Sequence, residues 1–191
     1  MTDTVKAKTH LEAVLRKSLQ KSAESLGMMI KKEVAFEKFE ILDSCQGLDK
    51  LDDSQEILVT TEIIGDVNGK SYLMLSEEKG NIIYKNVFGS KNPAISMEVV
   101  MKEVDNIVSA AVISVLADNF QVEIFGDVPY FFNTEANKTL ELITDDCINY
   151  ENEEDKFFVK STLVSNEVNL HMDFYWILSG EIMEKADMAA K

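Results

Sequence analysis

The order of secondary-structure patterns repeats along this chain, and this repeat constrains the fold more than any other feature. Residues 6–32 place apolar side chains at the three- and four-residue spacing of one long amphipathic helix. A strand pattern at 34–41 follows. Two apolar runs, 56–64 and 71–75, then flank a glycine- and asparagine-rich segment that predicts a hairpin. A short helix at 76–88 completes this first unit.

The same order begins again in the second half of the chain. Asn92 suits the N-cap of a helix and Pro93 its first position, and the pattern predicts a second long helix that ends near Asn119. A strand at 121–125 follows, and Pro129 should end it at the latest. After an acidic loop inserted around 131–155, the remaining predicted elements are a hairpin formed by 157–164 and 168–178 and a short helix at 179–190.

Two such units in 191 residues predict one domain, residues 1–191, with a first repeat at about 6–90 and a second at about 92–190. The expected fold class is α+β, a pseudo-twofold duplicated unit with two long helices packed on one face of a mostly antiparallel β-sheet. A shift of 85 residues superposes the apolar stripes of the two helices, and it aligns Leu15 with Val100.

The acidic composition narrows the possible partners. A net charge of −15 disfavours nucleic acid and anionic membrane surfaces, because both are bound mainly through Lys and Arg. No apolar run is long enough for a transmembrane helix, and the N-terminus lacks the hydrophobic segment of a signal peptide, so we expect a cytoplasmic protein. The two cysteines, Cys45 and Cys147, are too few for a disulfide framework or a zinc site.

The second long helix carries a carboxylate and a carboxamide one turn apart, at Glu103 and Asn106. A step of about 100° per residue turns both away from the apolar stripe that should face the core. Small or apolar side chains lie beside the pair on the same side of the helix, namely Val99, Ala110, Ile113 and Ala117. The next arc of the wheel is polar and contains Lys102, Asp105 and Ser109. This frame favours a docking surface for another protein, although it also fits exposed residues whose apolar neighbours pack under a loop.

Glu103-x-x-Asn106, followed after 22 residues by Pro129, resembles the active-site signature of the CheC/CheX/FliY family of chemotaxis phosphatases. The stretch at 101–116 and the predicted strand pair at 64–75 are also similar to the family, and the resemblance covers roughly 10–178. In a duplicated chain, the proline at this spacing makes the short motif considerably more specific.

The resemblance implies that the chain dephosphorylates the aspartyl phosphate of a CheY-like response regulator. Asn106 would orient the attacking water, and Glu103 would dock against the lysine of the receiver. Surrounding residues would contact the partner, namely Val99, Lys102, Ala110 and Ile113, with Pro129 as a structural part of the motif. No cofactor is expected on this chain, because the receiver supplies the Mg²⁺.

The sequence departs from the family at two places. Val99 stands four residues before the glutamate, where the family often has Asp or Ser. The first long helix contains no Asn, and the 85-residue shift places Ser18 and Lys21 at the positions of Glu103 and Asn106. Neither side chain has the chemistry of its counterpart, so the first repeat is predicted to be inactive. A chain with one active site resembles CheX, or the CheC relatives with one site, more than it resembles the CheC proteins with two sites.

Two other functions fit the same residues. The chain could be a non-catalytic adaptor that binds a receiver or a CheD-like deamidase, or a degenerate paralogue that only regulates. A homodimer by sheet pairing is compatible with the late aromatic strands at 157–176.

Overall fold

The structure, a computed structural model, describes residues 3–42, 56–89, 94–151 and 156–189. Cys45, Asn92 and Pro93 lie outside the described residues. In chain order the elements are α1 (Asp3–Ile30), β1 (Ala35–Leu42), β2 (Ile57–Gly65), β3 (Gly69–Leu75), α2 (Glu77–Phe88), α3 (Met97–Phe120), β4 (Ile124–Gly126), β5 (Tyr130–Asn133), α4 (Ala136–Glu151), β6 (Phe157–Ser165), β7 (Leu170–Leu178) and α5 (Glu181–Ala189). No helix in these ranges combines the length and apolar character needed to cross a membrane.

The seven strands form one antiparallel sheet in the order β1-β6-β7-β3-β2-β4, with β5 also paired to β2. Exchanging each strand of the first repeat for its counterpart in the second, β1 for β4, β2 for β6 and β3 for β7, gives the same order reversed. This is the arrangement that a pseudo-twofold duplicated unit requires. The predicted fold class is confirmed, and the repeat boundaries remain a prediction.

Helices α1 and α3 pack against each other over one face of the sheet and share a single apolar core with the inward side chains of β2 and β3. The stripe predicted for α1 is fully buried, since Leu11, Leu19 and Leu26 have almost no exposed area. Ser22 Oγ also donates a hydrogen bond of 2.8 Å to the carbonyl oxygen of Val108, which ties the two helices together.

The acidic stretch predicted to be a loop is helix α4, which covers the opposite face of the sheet. Ile143 and Cys147 lie one turn apart and are buried in a second apolar cluster with residues of β3, β6 and β7. Asp146 forms an ion pair with Lys70 at 2.7 Å and accepts a hydrogen bond from the Tyr72 hydroxyl at 3.1 Å. The loop prediction was wrong because only a narrow apolar stripe of this helix is buried, and its many acidic residues give the segment the composition of a loop.

Helix α3 begins later than the sequence indicated. Its N-cap is Ser96, whose hydroxyl accepts a hydrogen bond of 3.3 Å from the backbone N–H of Val99. The prediction that the helix starts at Asn92 and Pro93 was wrong. The helix starts at Met97, because Ser96 provides an N-cap as good as an asparagine would be. Glu103 and Asn106 therefore lie in the second and third turns of α3.

Strands β4 and β5 form one interrupted edge strand along β2. Gly126 pairs with Ile63 and Tyr130 pairs with Thr60, so three residues of the edge lie opposite two of β2. Pro129 lies in this β-bulge and is buried, a position that tolerates a residue without a backbone N–H. The first edge strand ends before Pro129 as expected, but pairing resumes directly after it.

Gly65, the last residue of β2, lets the backbone of this strand approach the edge strand closely at Glu123 and Ile124. Its φ is +129°, and a Cβ there would lie 2.1 Å from the backbone oxygen of Glu123. Gly65→Ala should therefore lower the free energy of unfolding by at least about 2 kcal/mol, measured by urea denaturation. Gly89→Ala is the matched control, because Gly89 also has positive φ but a Cβ there meets nothing within 4 Å. Equal losses in the two variants would contradict the argument from the close backbone contact.

Candidate functional site

Glu103 and Asn106 are exposed and lie one turn apart on α3, as the helical wheel predicted. Among the described residues neither side chain has a hydrogen-bond or ion-pair partner. Both can therefore meet an external group without first breaking a contact within the chain. Helix α3 has 24 residues and is packed along most of its length, so the backbone that carries the pair is held firmly.

The side chains around the pair differ in exposure. Val99 is 57% exposed and Ala110 is also exposed, as expected for a docking surface. Ile113, at 9% exposed, belongs to the core, and its Cδ1 lies 3.3 Å from where a Cβ on Gly126 would be. The expectation that Ile113 points away from the core was wrong, because β4 covers that side of the helix and Gly126 leaves room for the side chain.

Lys102 is half-buried, and its ammonium is paired with Glu98 one turn earlier at 2.7 Å. This ion pair directs the positive charge of Lys102 toward Glu98 and leaves Glu103 as an uncompensated carboxylate on the exposed face. Whether Lys102 contacts a partner remains a prediction.

Asp105 and Ser109 were placed outside the core by the wheel, and both are buried. The hydroxyl of Thr61 on β2 donates to Asp105 Oδ2 at 2.6 Å, and Ser109 Oγ donates to Asp105 Oδ1 at 3.4 Å. Ser71 Oγ on β3 lies 3.3 Å from Ser109 Oγ and extends this polar network. The wheel failed here because α3 is buried on two sides, against α1 and against the sheet, so its buried arc is far wider than its apolar stripe.

Burial of Asp105 disfavours its charged form and raises the pKa of this carboxyl to about 7, although hydrogen bonds from Thr61 and Ser109 lower the pKa. Asp105 immediately precedes Asn106, so this contact fixes the helix to β2 next to the exposed carboxamide. On the other side, the Val108 carbonyl is held by Ser22 of α1. Sequence periodicity contains no signal for the Asp105 contact, since the carboxylate matches a solvent-facing residue.

An open groove with a cavity volume of about 440 Å³ adjoins Asn106, between α3 and the edge strand. The helix contributes Asn106, Ser109, Ala110, Ile113, Ser114, Ala117 and Asp118, and the strand side contributes residues 124–127, with Thr61 of β2 also lining the groove. The groove joins the exposed carboxamide to a partly apolar surface. Sequence analysis predicted the apolar residues of the helix and a strand at 121–125, but not that this strand lies opposite those residues across a groove.

The structure also corrects the alignment of the two helices. A shift of 86 residues, the separation of the hydrogen-bonded Ser22 and Val108, superposes the buried positions of α1 from Val14 to Ile30 on buried positions of α3. Ser18 is buried and cannot correspond to the exposed Glu103. The counterparts of Glu103 and Asn106 are therefore Lys17 and Gln20, both exposed.

Gln20 is a carboxamide, but its Nε2 donates to Glu24 at 2.9 Å, and Lys17 has the opposite charge to Glu103. Helix α1 thus still lacks the glutamate and asparagine of the motif, and the prediction of an inactive first repeat stands on different residues. Among the described residues no cluster of three His, Cys, Asp or Glu side chains could hold a metal ion.

No protein-family model matches the sequence, and no curated protein is significantly similar to it. Solved structures match it well. CheX from Desulfovibrio desulfuricans aligns with a TM-score of 0.61 at 10% identity, over 87% of this chain and 99% of that one. A chain of the CheX–CheY–BeF₃–Mg²⁺ complex from Borrelia burgdorferi aligns with a TM-score of 0.60 at 12% identity, over 85% and 95%.

FliY from Thermotoga maritima aligns with a TM-score of 0.61 at 13% identity, over 96% of this chain and 95% of that one. Identities this low establish the fold and nothing finer. The resemblance predicted from the motif around Glu103 and Asn106 is confirmed at that level: this chain has the fold of CheX, CheC-like and FliY proteins.

Proposed function

We propose that this protein is a phosphatase that removes the aspartyl phosphate of a CheY-like response regulator in chemotaxis signalling. One observation carries the proposal. Glu103 and Asn106 are exposed, unpaired and one turn apart on a firmly packed helix, within the fold of CheX, CheC-like and FliY proteins. That one solved neighbour is a CheX bound to CheY with BeF₃ and Mg²⁺ supports a receiver as the partner.

The chemistry asks little of the phosphatase. Hydrolysis of an aspartyl phosphate proceeds by in-line attack of water, and the receiver already carries the phosphorylated aspartate, the Mg²⁺ and a lysine. What remains is to position the water. The Asn106 carboxamide both donates and accepts hydrogen bonds, so it can hold a water in one orientation relative to phosphorus. We therefore assign Asn106 to the attacking water.

Glu103 has the charge and position to dock the receiver. Its carboxylate is exposed one turn before Asn106, and Lys102 does not neutralise it because Lys102 is paired with Glu98. A carboxylate that meets the receiver lysine makes a charge-assisted hydrogen bond. The strongly negative net charge of −15 also favours approach by a basic surface.

Support from the body of the fold keeps the pair in place. Asp105 is bonded to Thr61 of β2, and the Val108 carbonyl accepts a hydrogen bond from Ser22 of α1, so the backbone is held on both sides of Asn106. A site carried by rigid elements loses little conformational freedom when the partner binds.

The test is the loss of phosphate from a phosphorylated CheY-like receiver of the same organism, with and without this protein. Glu103→Ala should raise the KM for the receiver about 10-fold and change kcat by less than about threefold, since it removes a docking contact that is present before the reaction. Glu184→Ala, at an exposed glutamate on α5, is the matched control and should leave both constants unchanged. If the wild-type protein accelerates phosphate loss from none of these receivers, the enzymatic proposal is wrong.

The exposed Val99 favours a second candidate function, a non-catalytic adaptor that binds the receiver or a CheD-like deamidase. An apolar side chain that is 57% exposed beside the pair suits a stable interface better than a rapidly released one. A stable, phosphorylation-dependent complex without turnover would support the adaptor.

A further inference from the structure

We infer that the groove between α3 and β4 is a second recognition site for the same receiver, and that it takes a basic segment of the receiver that also carries an apolar side chain. The inference rests on the proposed function for the identity of the partner. It adds a specificity site to the exposed pair of Glu103 and Asn106.

The groove begins where the proposed chemistry takes place. Asn106 lies at one end of its helical wall and Asp118 at the other, and twelve residues of α helix separate them by about 18 Å. A receiver whose phosphorylation site meets Asn106 must place neighbouring surface over this groove. Continuity with the proposed docking site therefore makes the receiver the expected occupant.

The lining determines which kind of segment fits. Ala110 and Ala117 on the helix and the exposed Phe125 on β4 provide apolar surface, in a volume of about 440 Å³ that is large enough for side chains of a partner. The lining also contains two carboxylates, Asp118 and Asp127, together with the hydroxyl groups of Thr61, Ser109 and Ser114. No Lys, Arg or His is among the described residues that line the groove. This combination favours a segment with one apolar and one cationic side chain.

The two carboxylates are not equivalent. Asp127 Oδ1 already accepts a hydrogen bond of 2.7 Å from the backbone N–H of Val128. The exposed Asp118 carboxylate has no hydrogen-bond or ion-pair partner among the described residues. Lys21 of α1 reaches the rim of the groove, where its Nζ donates to Ser114 Oγ at 3.2 Å. A cation of the partner should therefore be attracted by Asp118 and repelled by Lys21.

These opposite charges allow a test in both directions. The probe is each CheY-like receiver domain of the same organism, activated with beryllofluoride and Mg²⁺, and the measurement is its Kd for the full-length chain. Asp118→Lys should raise the Kd about 10-fold because it replaces an attracting charge by a repelling one, and Lys21→Glu should lower the Kd about threefold for the opposite reason. Tighter binding in Lys21→Glu could not result from a damaged fold. Asp145→Lys, an equal charge change on an exposed position of α4 across the sheet, should have no effect.

Turnover separates the groove from the chemistry. At saturating receiver, kcat of Asp118→Lys should equal that of the wild type. If one or more receivers bind but none is dephosphorylated, the phosphatase proposal fails while the Kd series still tests the groove. If Glu103→Ala weakens binding and both groove variants leave the Kd within twofold, the groove inference is overturned. Binding of none of the receivers would overturn both.

Discussion

Replacing Asn106 by alanine should lower the rate of receiver dephosphorylation about 100-fold at saturating receiver, while the Kd for the beryllofluoride-activated receiver changes less than about threefold. The reason is that the carboxamide orients a water that is present only in the reacting complex. Its loss therefore removes positioning in the transition state and little ground-state binding. Single-turnover loss of phosphate measures the rate, and a separate titration measures the Kd.

Two further variants make this prediction specific. Asn106→Asp keeps the shape of the side chain but cannot donate a hydrogen bond, and it adds a negative charge beside the phosphoryl group, so it should not restore the rate. Gln20→Ala removes the carboxamide at the equivalent position of α1 and should leave the rate unchanged. A comparable loss in Gln20→Ala would show that the first repeat is active, and an unimpaired Asn106→Ala would contradict the assignment of the water to Asn106.

Replacing the buried Asp105 by asparagine should change how stability depends on pH. In the folded protein burial raises the pKa of Asp105 from 3.8 to about 7, so the folded state binds this proton more tightly than the unfolded chain does. The contribution of the protonated carboxyl is therefore complete below about pH 4 and is lost as the pH rises toward 7, with a total of up to about 4 kcal/mol.

The measurement is urea denaturation of wild type and Asp105→Asn at pH 5 and pH 8. Relative to the variant, the wild type should lose about 2 to 3 kcal/mol between these two values, since roughly two pKa units of the shift lie in this interval. Asparagine keeps the size of the side chain and an acceptor for Thr61, so the comparison isolates the ionisation. Asp145→Asn, on an exposed position of α4, is the control. A difference between wild type and Asp105→Asn that is constant with pH would contradict the prediction.

Most of the architecture could be predicted from periodicity. Apolar side chains at helical spacing defined α1 and α3, and apolar runs separated by short polar breaks defined the two hairpins, because these elements supply most of the buried core. The repeated order then predicted the duplicated sheet. Helix α4 was missed since only a narrow stripe around Ile143 and Cys147 is buried, and the rest of that helix has the composition of an acidic loop.

The errors on α3 have one cause. A helical wheel assumes a single buried side, whereas α3 contacts both α1 and the sheet. Asp105 turns toward Thr61 and Ile113 toward Gly126, and both are buried although the wheel placed them outside. The alignment of the two helices was off by one residue for a related reason: apolar stripes alone did not distinguish the shift that also superposes the buried serines, Ser18 and Ser22, on buried positions of α3.

The sequence by itself determined that Glu103 and Asn106 share one exposed side of a long helix, because their spacing and the opposite apolar stripe are local properties of the chain. It also determined that no asparagine exists in the first helix to form an equivalent pair. Only the tertiary structure decided what surrounds the pair: the strand that forms the far side of the groove, the buried Asp105 beneath it, and Gln20 as the counterpart of Asn106. These depend on contacts between residues far apart in the chain, and periodicity along one helix does not contain them.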